Sequence, residues 1–77
     1  MAFGTFRVKI DELRVAEITT AHAALTFVAS LCPEVRKKPH WQAAELTLAD
    51  AHLSNEHEIW AALAFEDALI AENWLVD

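Results

Sequence analysis

Between Thr5 and Ile10 apolar and polar residues alternate, with Phe6, Val8 and Ile10 on one side and Thr5, Arg7 and Lys9 on the other. That period of two predicts an extended segment with one covered face. From Asp11 the pattern changes. Asp11 is a candidate helix N-cap, and Glu12 is favourably placed in a first turn. A helical period then aligns Ile18, Ala21, Leu25, Val28 and Cys32, flanked by Leu13, Ala24, Phe27 and Leu31. Thr19, His22, Thr26 and Ser30 fall on the opposite face, so the segment is amphipathic and predicts a helix over about 11–32. Several β-branched residues weaken that helix, and a competing reading pairs 5–10 with 13–18 as a hairpin. Its turn, Asp11-Glu12, lacks the glycine that two-residue turns favour, so the helix is preferred.

Pro33 to Pro39 interrupts the pattern, and its basic run Arg36-Lys37-Lys38 reads as a solvated linker. Pro39 suits the first turn of a second helix, over about 39–53. This helix has two apolar lines, Ala43-Leu46-Ala49-Leu53 and Trp41-Ala44-Leu48-Ala51. Asn55-Glu56-His57-Glu58 reads as a capping box, with Asn55 or Ser54 starting a third helix over about 55–75. Along it Ile59, Leu63, Ile70 and Trp74 form the expected core stripe, with Trp60 beside it, while Phe65, Leu69 and Val76 form a second. A helix apolar on two sides is buried on two sides. The fold expected is all-α: one domain over 1–77, a small three-helix bundle with an extended arm over 1–10 that is able to form a strand. The arm has no evident strand partner within the chain, so pairing with a symmetry mate is one place for it.

Composition sharpens this picture. A chain of 77 residues that is 55% hydrophobic has difficulty covering its apolar surface alone. Cys32 is the only cysteine, which excludes an internal disulfide and suits a reducing compartment and a buried apolar role. A homodimer is therefore expected, with Trp41, Leu48, Phe65 and Leu69 as its candidate apolar contact patch. The longest uncharged run, Ile18 to Pro33, has 16 residues, short of the ~20 a bilayer needs. The start MAFGTFRVKI lacks the apolar core of a secretory signal, so a cytoplasmic location without membrane contact is expected.

Chemistry-bearing motifs are scarce. A single glycine rules out glycine-rich phosphate loops, and a single cysteine rules out the familiar zinc spacings. His52, Glu56 and His57 gather at a turn, but the break between the helices spoils a shared face, so no metal and no cofactor is expected. Glu66 and Asp67 are adjacent and point about 100° apart on a helix, unsuited to paired carboxylate catalysis. The chain is not expected to be an enzyme.

Charge is the remaining clue. Through Lys38 the six cations and four acids leave a net +2, whereas the remainder carries eight acids and no lysine or arginine, within a total of −6. Direct nucleic-acid binding is disfavoured by that balance. The acidic half, through Glu45, Asp50, Glu66, Asp67 and Glu72, is expected to bind a larger basic protein, such as a nucleic-acid-binding complex. An inhibitor or adaptor of this kind shares its general composition with anti-CRISPR proteins and other DNA mimics, although no residue motif is matched. The acids form no regular row: Glu56 and Asp67 share a face with the expected core stripe, while Glu58 and Glu72 point elsewhere. The alternative is a structural or regulatory homo-oligomer whose charge keeps it soluble.

Overall fold

The computed structural model describes residues 3–9 and 11–76. The chain is mixed α/β, which corrects the all-α expectation. In order it forms β1 (Phe6–Lys9), β2 (Val15–Ile18), α1 (Ala21–Ala29), α2 (Pro33–Arg36), α3 (Pro39–Ala49), a 3-10 turn (Ala51–Leu53), α4 (Asn55–Glu72) and β3 (Leu75–Val76). The three strands make an antiparallel sheet in the order β2-β1-β3. Ile10 and residues 1, 2 and 77 lie outside the described residues, so the expected arm is described only from Phe3 to Lys9.

The hairpin, not a helix from Asp11, follows the first strand. Phe6 faces Ile18 and Lys9 faces Val15 across β1 and β2. The turn dispenses with glycine because Asp11 folds it from its side chain. Asp11 Oδ1 accepts the Leu13 N–H at 2.8 Å, and Oδ2 accepts Arg14 Nε–H at 2.9 Å. This is the local carboxylate-to-backbone bond through which Asp mimics a backbone turn. The Leu13 N–H, then the Arg14 guanidinium, hold the Asp11 carboxyl below its usual range. Helix α1 begins instead at Thr20, whose Oγ1 accepts the Ala23 N–H at 3.0 Å.

The third strand closes the molecule. Asn73 adopts the left-handed conformation, φ 62°, and its N–H donates to the Ile70 carbonyl. The Trp74 N–H reaches back to the Leu69 carbonyl at 2.9 Å, which ends α4 and reverses the chain. Val8 then faces Leu75, and the Lys9 N–H donates to the Trp74 carbonyl at 2.7 Å. With β2 on one edge and β3 on the other, β1 is the central strand. For β1, pairing with a symmetry mate is thereby overturned, because it is paired within the chain on both sides.

The core lies between this sheet and the helices. Phe3, Phe6 and Phe65 meet edge to face or tilted, with ring centres 5.4 to 6.1 Å apart. Trp41 continues the aromatic cluster to Phe27, Phe65 and Trp74. Fully buried Ala24, Ala44, Ala61 and Ala68 let the helix backbones approach closely. Gly4 sits at φ +86° where the chain enters β1, a conformation costly for residues with a Cβ. Gly4→Ala is expected to cost ~1 kcal/mol, lowering the melting temperature by roughly 4–8 °C in a domain of this size. Thermal unfolding followed by circular dichroism checks this.

The burial of α3 and α4 reverses two further expectations. Along α3 and the 3-10 turn the line Trp41-Ala44-Leu48-Ala51 is core, and Leu46 and Leu53 are exposed. On α4 the buried residues are Ala61, Phe65, Ala68 and Leu69, whereas Ile59, Trp60, Leu63 and Ile70 are exposed. The proposed contact patch of Trp41, Leu48, Phe65 and Leu69 is therefore the centre of the core, none of them more than 4% exposed. Cys32, expected to be buried, is exposed and precedes α2. The helix bounds also shorten: 39–53 becomes α3 plus the 3-10 turn, and 55–75 ends at Glu72. Of the two candidate starts Ser54 is the cap of α4, accepting the His57 N–H at 3.2 Å.

Candidate functional site

Two arrangements collect the polar residues singled out in the sequence. The first is an internal polar centre where the start of α3 meets the end of α4. Pro39 places His40 and Trp41 in the first turn of α3, directly after Lys38. Glu72 Oε2 accepts Trp41 Nε1–H at 3.0 Å, lies 3.0 Å from His40 Nε2, and pairs with Lys38 Nζ at 3.1 Å. The side chain of Glu72 is only 12% exposed, an environment that disfavours charge unless the carboxylate is well bonded. The His40 contact, with Trp41 and Lys38, outweighs desolvation and holds this carboxyl down at about 2. Glu72 is thus a structural carboxylate, not a group facing a partner. No local sequence signal announces this centre, because the donors and the acceptor lie more than 30 residues apart.

Glu45 is also paired internally, with Arg36 Nη2 at 2.9 Å. The basic linker therefore does more than face solvent. Arg36 and Lys38 use their charge within the molecule, covering Glu45 and Glu72 of the acidic half. Of the five acids expected at a partner surface, the structure leaves Asp50 and Asp67 exposed and Glu66 half-buried. Among the described residues these three and the exposed Glu56 form no ion pair.

The second arrangement is the outer surface of α3 and α4. Leu46, Thr47, Asp50, His57 and Trp60 line one shallow cleft of about 290 Å³ between the two helices. Trp60 is 52% exposed and its indole packs edge-on against the His57 ring at 5.1 Å. Next to it along α4, Ile59, Leu63 and Ile70 fall within about 40° of one another on the helix. All three are exposed. Glu56 and Asp67 project about 20° and 40° to one side of Leu63, and Glu66 about 60° to the other. The result is an apolar line, Ile59-Leu63-Ile70, with Glu66 on one flank, and with Glu56 and Asp67 on the other, between it and Trp60. A signal for it was present in the sequence: Glu56 and Asp67 share the face of Ile59, Leu63 and Ile70, which marks that face as wet.

Other clefts bring together less chemistry. One, of about 330 Å³, is lined in part by His22, His52 and Glu58, and another, of about 280 Å³, by Lys9, Phe27, Leu31 and Trp74. Among the described residues no group of three or more His, Cys, Asp or Glu side chains is disposed to hold a metal ion. Among them, too, no helix is long and apolar enough to cross a membrane. No family model, curated protein or solved structure matches the chain.

Proposed function

We propose that this chain is a small acidic protein-binding module, a non-catalytic inhibitor or adaptor that engages a larger basic protein, of the kind that handles nucleic acid. The observation that carries this reading is the outer surface of α3 and α4, where Asp50, Glu56, Glu66 and Asp67 form no ion pair among the described residues. Carboxylates in that state attract a basic partner and speed its approach. An exposed, unpaired thiol at Cys32 is compatible with a reducing cytoplasmic setting.

A second reading, a homodimer built on the same surface, draws on the exposure of Leu46, Trp60, Leu63 and Ile70 in a chain this small. Affinity capture from cell extract separates the two. Wild type is compared with the double reversal Glu66→Lys, Asp67→Lys, each at low salt and at ~0.5 M salt, where screening is strong. A basic protein should be retained by wild type at low salt, and lost on charge reversal and on adding salt. Capture indifferent to both overturns the reading. Reversal of Glu72 is unsuitable here, since it breaks the contacts to Lys38, His40 and Trp41 and so reports on stability.

A further inference from the structure

We infer that the stripe formed by Leu46, Trp60, Ile59, Leu63 and Ile70 is a docking site for a basic amphipathic helix of another protein. This rests on the reading of the chain as a binder of basic partners and specifies how the partner is held. Acidic groups alone would suit a phosphate-like mimic, but here they do not form a row. They lie beside and among five large apolar side chains, all exposed, from Leu46 at 71% to Ile59 at 45%. A surface of this composition discriminates against a simple polycation and favours a partner carrying both an apolar line and flanking lysines or arginines.

Shape supports a helix as the occupant. Ile59, Leu63 and Ile70 are spaced four and seven residues apart, so they span about 16 Å along α4. Leu46 on α3 and Trp60 on α4 share one shallow cleft beside this line, a second apolar contact one helix over. An amphipathic helix laid in such a groove presents anchors at helical spacing. Trp60 supplies the large, partly exposed aromatic anchor that binding surfaces favour.

Charge argues against a second copy of this chain in the same place. A copy seated on its own α4 face brings Glu56, Glu66 and Asp67 again, and the chain has no lysine or arginine beyond residue 38. The carboxylates of both copies would lose water without gaining a counter-charge, which is unfavourable. A basic helix supplies the missing cations and covers the apolar stripe in one step.

The test uses a synthetic leucine–lysine peptide of about 14 residues with leucines at helical spacing, and a scrambled peptide of the same composition. Binding is read from Trp fluorescence. Burial of Trp60 should shift emission to the blue, and Trp60→Phe should remove that shift. The amphipathic peptide should bind at least about tenfold more tightly than the scrambled one. Leu63→Asp, and separately Glu66→Lys with Asp67→Lys, should each weaken it by about tenfold or more. All three positions lie outside the core, so circular dichroism should show unchanged folding in these variants. Equal binding of both peptides overturns the inference while leaving a charge-driven basic partner standing. Binding of neither peptide overturns it too, and the capture experiment then decides separately on the basic partner. Light scattering covers the remaining occupant: a mass that rises with concentration and returns to a monomer with Leu63→Asp assigns the stripe to a second copy and overturns the inference.

Discussion

Trp41→Ala should leave the protein largely unfolded at room temperature. Emptying a fully buried Trp site costs about 3–5 kcal/mol. The indole also donates to Glu72, and loss of a hydrogen bond to a charged, poorly hydrated acceptor adds roughly 1.5–3 kcal/mol. A domain of this length has about 4–12 kcal/mol of total stability, so the combined loss is comparable with the whole. The ring also sits among Phe27, Phe65 and Trp74, which would lose a shared neighbour. Trp41→Phe separates the two contributions, since it keeps most of the ring and removes the Nε1–H. That variant should stay folded and lose about 2–3 kcal/mol in urea denaturation. A loss below ~1 kcal/mol in Trp41→Ala would show that the indole is not the keystone of the packing.

The second large effect is the acid lability set by Glu72. Its carboxyl is lowered from 4.5 to about 2 in the folded protein. A depressed folded-state value stabilises the protein at pH above 4.5, and the contribution disappears as pH falls through the interval down to about 2. The shift sets an upper limit of about 3 kcal/mol, lowered by the water that still screens a 12% exposed side chain. Glu72→Gln keeps the shape and removes the titration. The stability difference between wild type and Glu72→Gln should be largest near neutral pH and should shrink between pH 4.5 and 2, as read from urea denaturation at several pH values. A difference independent of pH would assign the cost of the variant to packing and not to the carboxylate's charge.

The contrast between these two residues and their expected roles has one physical source. Trp41 and Glu72 were both read as outward-facing groups, and each is instead what the other bonds to. Their contact joins residues 31 apart, and a local pattern carries no information about such a pair. The hairpin shows a different kind of limit. Its strands alternate as pairing requires, but its turn carries no glycine, and Asp11 supplies the turn through its own carboxylate. Strand β3, two residues long, is defined only by pairing with β1.

By itself the chain's pattern determined the strand at β1, the amphipathic face of α1, the breaks at Pro33 and Pro39, the positions of α3 and α4, and the charge imbalance between its halves. These depend on neighbours within a few residues. Which faces of α3 and α4 are buried was decided only by the tertiary structure. Both helices are apolar on two sides, so their periodicity is satisfied equally by either orientation. The choice fell to the side where alanines allow close backbone approach and where Trp41, Phe65 and the sheet's phenylalanines interlock. Larger Ile59, Leu63 and Ile70 were turned outward, among carboxylates that a close-packed interior would have had to strip of water.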